Sequence, residues 1–288
     1  MDGATSRRTE NTPRDRRAPR REPAALRGPL GLVEAFGKQI HDLFEGLGRF
    51  FVFLGHVLRN IPRRPYRWRL LGEQVERIGV RSVPIIALSS MAIGMIFSLQ
   101  ITMLMAMFQA ETIVGAAVGL TLARELAPVI TTLMLIAKNG SAMTAELGTM
   151  RVTEQLDAMQ TMSVDPVHYL VTPRVVASVI TFPILTAMAN VVGLIGSYVV
   201  AVGMLDVDPG GFFDQLYWFV EPEDVYSGLI KAAVMGFMMA VICSYYGFNS
   251  GRGAKGVGEA STRAVVTSSV GILVADYIMA DLMLKLLY

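Results

Sequence analysis

Cysteine and histidine are nearly absent from this 288-residue chain. It contains one cysteine, Cys243, and three histidines. A single thiol cannot form an intramolecular disulfide, and so few thiols and imidazoles exclude the usual zinc sites and the Ser–His–Asp type of catalysis. We therefore predict no catalytic residue, no metal site and no cofactor.

The chain also lacks a phosphate-binding loop. No glycine-rich segment ends in Lys-Ser or Lys-Thr, and the dinucleotide-like spacing at Gly251–Gly256 follows an apolar run rather than a strand. We attribute that spacing to a surface loop, and we expect neither a nucleotide site nor a nucleic-acid partner.

Charged residues are missing from long stretches of the chain. Val83–Phe108 and Val175–Met204 contain no Asp, Glu, Lys or Arg, and 52% of all residues are hydrophobic. A helix needs about 20 apolar residues to cross the hydrocarbon core of a bilayer. We predict an all-α integral membrane protein with five transmembrane helices. They are Val83–Phe108, Thr112–Ala137, Val175–Met204, Gly228–Tyr246 and Val265–Leu287.

The region before the spans divides into two parts. Residues 1–27 are rich in Arg and Pro and almost free of apolar side chains, which predicts a disordered tail. Residues 28–75 follow, and within them apolar residues recur at three- and four-residue steps from Leu30 to Leu58, with charged residues between. This pattern predicts an amphipathic helix lying at the lipid headgroups, or alternatively a soluble helix packed on a partner. Residues 76–288 then form the transmembrane domain.

The charges of the connecting segments predict how the chain crosses the membrane. The link between the third and fourth spans contains acidic residues and no Lys or Arg, whereas the link before the fifth contains Arg252, Lys255 and Arg263. Basic residues favour the cytoplasmic side. We expect the N-terminus and residues 138–174 and 247–264 in the cytoplasm. The C-terminus is then outside.

Small residues recur four positions apart within the spans. Such seams let helix backbones approach closely in a membrane, so we predict a packed bundle and a possible dimer. The seams are Ser90, Gly94 and Ser98; Gly115, Gly119 and Ala123; Ala189, Gly193 and Ser197; and Ala232, Gly236, Ala240 and Ser244.

Arg124 and Glu125 lie near the middle of the second span. Ionisable groups at that depth are costly, which makes both residues functional candidates. Adjacent helical residues point about 100° apart, so spacing alone does not direct both to one partner. Either the two residues line a cavity for a polar headgroup, or Glu125 pairs with a cation such as Lys231 and fixes the bundle. Asp276 and Asp281 in the fifth span raise the same question.

A short cytoplasmic helix is predicted over Thr153–Met162, and Pro166 follows it. The segment combines carboxylates with apolar side chains, which suits docking into a groove on a soluble partner. An ordinary surface turn is the alternative. The residues that we expect to carry the docking are Glu154, Gln155, Leu156, Asp157 and Met159.

Three sequence blocks resemble the MlaE/YrbE permeases, the membrane subunits of MCE-associated ABC transporters. They are Arg124-Glu-Leu-Ala-Pro-Val, the run from Gly140 to Asp157, and Asp165-Pro with Pro173-Arg174. The resemblance runs from about Leu30 to the C-terminus. The Arg-rich tail departs from the short N-terminus typical of the family, and its role is unassigned.

The resemblance implies an architecture and a set of partners. It implies an elbow-like interfacial helix, five spans, a homodimer in the bacterial inner membrane, a cytoplasmic ATPase, and an MCE-domain protein on the periplasmic side. Thr153–Met162 would be the coupling helix. A phospholipid would bind at Leu99, Gln100, Leu122, Arg124, Glu125 and Leu126. The alternatives are a self-contained secondary transporter and a structural membrane anchor.

Overall fold

The computed structural model describes residues 29–63 and 67–287, and in these residues every regular element is helical. The predicted tail, residues 1–27, lies outside the described residues. The described residues divide into two units, with the boundary between Arg49 and Phe50. The first described helix, α1, is Pro29–Asn60, which confirms the helix predicted over Leu30–Leu58. Its position relative to a bilayer stays a prediction.

Five helices of the described residues are long and apolar enough to cross a membrane, as the sequence predicted. These spans are Trp68–Ala106, Glu111–Val152, Val167–Ala201, Pro222–Phe248 and Gly253–Lys285. Each begins earlier than the apolar run that identified it, because the helical backbone continues into polar sequence at the start of each span. The fifth span begins at Gly253, so much of the predicted loop 247–264 is helical.

The spans are built from the following helices. The first contains α2 (Trp68–Ile78) and α3 (Val83–Ala106); the second α4 (Val114–Thr121), α5 (Ala127–Leu135) and α6 (Ser141–Val152); the third, fourth and fifth contain α8 (Thr172–Ala201), α10 (Pro222–Phe248) and α11 (Gly253–Leu287). Two short helices, α7 (Gln155–Thr161) and α9 (Pro209–Phe219), lie between spans.

Wide π-helical turns interrupt the second and third spans. They occur at Leu122–Leu126 and Ile136–Gly140 in the second span and at Val167–Val171 at the start of the third. A π turn inserts one extra residue into an α-helix and often marks a functional position. The first of these turns contains Arg124 and Glu125.

The small-residue seams hold the bundle together, as predicted. A Cβ atom on Gly94 would lie 1.9 Å from the carbonyl oxygen of Gly193, so α3 and α8 touch backbone to backbone. Gly236 of α10 packs against the ring of Phe182 in α8, because a Cβ atom on Gly236 would lie 2.7 Å from that ring. The backbones can approach this closely only where side chains are absent.

Helix α9 was not predicted, because its segment was interpreted only as an acidic link. Asp208 caps the helix, accepting a hydrogen bond from the Gly211 backbone N–H at 2.6 Å, and Pro209 occupies the first turn. Phe212 is fully buried, whereas Tyr217 and Trp218 are exposed. The helix therefore has one face packed on the bundle and one aromatic face turned outward.

Candidate functional site

Arg124 forms an ion pair with the N-terminal end of α10. Its guanidinium lies 2.6 Å from Oδ1 of Asp224, and the Asp224 side chain is only 1% exposed. The other carboxylate oxygen, Oδ2, accepts a hydrogen bond from the Glu221 backbone N–H at 3.0 Å. Asp224 thus caps its own helix and holds Arg124 in place, a role that the sequence analysis missed.

Glu125 pairs with Lys231, the partner suggested by the sequence. The Lys231 ammonium donates to Glu125 Oε1 at 2.7 Å and to the Arg124 carbonyl at 3.1 Å. Asp276 of the fifth span lies 3.6 Å from the same ammonium. Lys231 is 2% exposed, so a buried cation joins the second, fourth and fifth spans.

Both charged residues of the π turn therefore reach one helix, although spacing alone did not direct them there. Their partners on α10, Asp224 and Lys231, are seven residues apart, which is about two helical turns or 10 Å. The long side chains of Arg124 and Glu125 extend in opposite directions along α10 to reach these positions. The cluster contains two cations and three carboxylates, so it has one carboxylate in excess.

A pocket of about 690 Å³ opens beside this cluster, and its walls are mostly apolar. Ala123 and Val225, the chain neighbours of Arg124 and Asp224, both line it. So does Asn190 of α8, whose amide nitrogen and oxygen are both buried without a hydrogen-bond partner. A buried amide without a partner is costly, so a polar group of a ligand here would satisfy it.

The remaining predicted lipid-binding residues are dispersed. Leu122 lines the 690 Å³ pocket, and together with Leu126 it also borders a gap of about 10 Å³. Arg124 and Glu125 border a separate crevice of about 60 Å³ beside Lys231. Leu99 and Gln100 are exposed on the first span and line none of these spaces. One chain therefore does not bring all six residues together.

The predicted docking residues lie around α7, which begins at Gln155 rather than at Thr153. Glu154 has a positive φ of 59°, which places it before the helix. Glu154, Gln155 and Asp157 are exposed, and Asp157 pairs with Arg151 at 2.6 Å. Leu156 is 1% exposed, so it anchors α7 to its own chain and cannot insert into a partner; Met162 is 67% exposed.

Asp281 does not join the charge cluster. It pairs with Lys285 one turn along α11, at 2.7 Å, and both side chains are exposed. Within the described residues there is no group of three or more metal-ligating side chains.

The fold and the site define a polytopic α-helical membrane protein with paired charges inside its spans, and such charges often mark a substrate pathway. Residues 71–282 match the family model described as Permease MlaE. The chain belongs to the MlaE permease family.

Three relatives show how far the similarity extends. A probable ABC transporter permease protein of Rickettsia bellii is 40% identical over 256 residues, which are 89% of this chain and 99% of that protein. The intermembrane phospholipid transport system permease protein MlaE of Haemophilus influenzae is 36% identical, covering 88% and 98%. The chloroplastic protein TRIGALACTOSYLDIACYLGLYCEROL 1 of Arabidopsis thaliana is 36% identical, covering 80% and 66%.

Proposed function

We propose that this chain is the permease subunit of an ABC transporter that moves phospholipid or a related lipid between the inner membrane and an MCE-protein assembly. ATP is hydrolysed on a separate cytoplasmic chain, and the permease acts as a homodimer. The names of the Rickettsia and Haemophilus relatives support the transporter class and the lipid substrate.

The observation that carries the substrate proposal is an apolar pocket that contains the unpartnered amide of Asn190 and is lined by Ala123, the chain neighbour of Arg124. Ligand pockets for apolar molecules combine mostly hydrophobic walls with a few placed polar groups. Here the 690 Å³ pocket takes part of an acyl chain, and Asn190 hydrogen-bonds the ester region. Arg124 follows the pocket-lining Ala123 in the chain, and we assign the headgroup phosphate to it.

The ion pair with Asp224 is compatible with this role. A guanidinium has five N–H donors and can bind a phosphate through two of them. The Arg124 side chain is 31% exposed, so a headgroup can reach it without breaking the bundle. The excess carboxylate near Lys231 gives Glu125 the capacity to hold a headgroup amine. In the homodimer, Leu99 and Gln100 complete the cavity from the exposed face of the first span.

Phospholipid bound per purified complex, together with thermal stability, tests the assignment of Arg124. Arg124→Ala removes the cation that pairs with the buried Asp224 carboxylate, so we expect both bound lipid and stability to fall. Arg124→Ala with Asp224→Asn also removes the negative charge, so stability recovers while bound lipid stays low. Arg124→Lys keeps the charge but loses the two-point geometry, and its bound lipid should lie between wild type and Arg124→Ala.

Lys285→Ala is the matched control, because it removes a cation from an exposed pair. If the double variant recovers bound lipid as well as stability, Arg124 only fixes the bundle and the site assignment is wrong. Transport by the purified chain alone, without an ATPase, would instead indicate a secondary transporter.

A further inference from the structure

A second pocket lies at the opposite face from α9, where the first and third spans begin. It has two adjacent parts, of about 310 and 300 Å³, and three residues line both parts: Arg63, Arg67 and His168. None of these residues belongs to the cluster around Arg124. The pocket is therefore separate from the proposed transport site.

The two parts differ in chemistry. The first is lined by apolar side chains, including Ile61, Trp68, Leu71 and Val176. The second is lined by polar ones, including Asn60, Ser163 and Asp165. The basic residues lie at the boundary between the two. A ligand that fills both parts must have an apolar portion and a polar portion, with negative charge where they join.

The basic side chains have donors left for such a ligand. A terminal nitrogen of Arg67 and Nδ1 of His168 are buried without hydrogen-bond partners. The Arg67 guanidinium stacks on the Tyr169 ring, 4.0 Å from its centre, which fixes its direction. Arg63 is anchored by donating to the Asn60 side-chain oxygen at 3.1 Å. Two positioned guanidiniums suit a phosphate.

Among the described residues that line the pocket, Asp165 is the one carboxylate, and both of its oxygens already accept hydrogen bonds. Its oxygens accept hydrogen bonds from His56 at 3.0 Å, Asn60 at 2.8 Å and the Val167 backbone N–H at 2.9 Å. Burial alone would raise the pKa of Asp165, but these hydrogen bonds outweigh it and hold the pKa below its usual value. The lowered pKa keeps Asp165 ionised, and the two guanidiniums of Arg63 and Arg67 outnumber this one negative charge in the pocket.

We propose that this pocket binds a phosphate ester, and that the phosphate is the headgroup of an anionic membrane lipid. The headgroup lies between Arg63, Arg67 and His168, and the start of an acyl chain lies along Trp68 and Leu71. This proposal does not depend on the transport function.

Trp68 provides a direct probe, because the chain has only two tryptophans, Trp68 and Trp218. The full chain with Trp218→Phe, in detergent micelles, is titrated with phosphatidylglycerol or phosphatidylcholine whose acyl chains are brominated to quench Trp68 fluorescence. We expect half-quenching at about tenfold lower mole fraction of phosphatidylglycerol, consistent with charge-assisted hydrogen bonds. Arg63→Gln with Arg67→Gln should abolish that preference.

Arg69→Gln is the matched control, because Arg69 is on the same helix as Trp68 but its side chain is 93% exposed. It should retain the preference. Equal quenching of the Trp218→Phe chain by phosphatidylglycerol and phosphatidylcholine would overturn the proposal. Arg63 and Arg67 are both present in that chain, so the result cannot come from a variant that fails to fold. Complete reversal of the phosphatidylglycerol-specific quenching by 10 mM inorganic phosphate would overturn the lipid as the source of the phosphate.

Discussion

Lys231 connects three membrane spans through its ammonium group. It is almost fully buried, and it contacts Glu125 of the second span and Asp276 of the fifth. The ammonium donates hydrogen bonds to Glu125 and to the Arg124 carbonyl, and Asp276 is an ion-pair partner at 3.6 Å, beyond hydrogen-bond distance. Removing one partner of a buried ion pair lowers stability more than replacing the whole pair with uncharged residues, because the remaining charge is left without its partner.

We expect Lys231→Met to destabilise the bundle by about 3 kcal/mol, because it leaves Glu125 and Asp276 facing each other without a cation. The measurement is the thermal unfolding midpoint in a fixed detergent. Adding Glu125→Gln and Asp276→Asn should restore much of the loss. The control, Lys285→Met, removes an exposed pair and should change the midpoint little. An unchanged midpoint for Lys231→Met would show that the network does not fix the spans.

The sequence predicted part of this cluster for a clear reason. Arg124, Glu125 and Lys231 are conspicuous because they interrupt apolar runs, and a charge in lipid needs a partner. Asp224 belonged to an acidic link and did not stand out, although its position three residues after Glu221 fits a capping box. Asn190 was missed because one neutral amide hardly alters the apolarity of α8, and its missing hydrogen bonds appear only in three dimensions.

At the scale of elements, α7 is the segment that we propose as the docking surface for an ATPase. Leu156 holds it against the chain, while Glu154 and Met162 are exposed at its two ends. The apolar anchor available for docking is therefore Met162. Leu156→Ala would test how α7 is attached to the rest of the chain. It would leave the proposed docking surface almost unchanged, because Leu156 is buried.

We expect Glu154→Lys with Met162→Asp to reduce co-purification of the ATPase several-fold, because the pair removes the apolar anchor and reverses a charge. Assembly of the five spans should be unaffected, since both side chains are exposed. Glu259→Lys is the control, a charge reversal at an exposed position of α11. Normal ATPase recovery and transport by the double variant would exclude α7 as the coupling helix.

The helices that were predicted have a clear sequence pattern, whereas those that were missed do not. The spans were predictable because each contains about 20 apolar residues, and α7 because polar and apolar residues alternate before Pro166. Helix α9 is short and its exposed face is aromatic, so it has little helical periodicity. Only the Asp208-Pro209 start indicated a helix there. The π turns had no recognisable pattern, because an inserted residue is a property of backbone hydrogen bonding.

At the scale of the whole molecule, the direction of crossing stays a prediction that labelling can test. Single cysteines at Gly210 and Gly258, in a Cys243→Ser background, report the two faces. Both sites are exposed, and a Cβ at Gly258 meets nothing within 4 Å, whereas one at Gly256 would lie 2.4 Å from Gly251.

From the acidic and basic links we expect an impermeant maleimide to label Gly210→Cys in intact cells and Gly258→Cys only after lysis. The Cys243→Ser chain without added cysteines is the control for background labelling. Labelling of Gly258→Cys in intact cells would reverse the orientation.

The second span is longer than a bilayer needs, and its length bears on how far α7 lies from the membrane. Its 42 residues measure about 63 Å, roughly twice the thickness of the hydrocarbon core. Beyond Gly140, α6 continues for 12 residues, about 18 Å, and packs closely on α10, since a Cβ on Gly247 would lie 2.7 Å from Leu147. With residues 138–174 in the cytoplasm, as the charges of the links predict, we expect α6 to hold α7 beyond the lipid headgroups. On that expectation, a protein that docks on α7 can be fully water-soluble and need have no affinity for the bilayer.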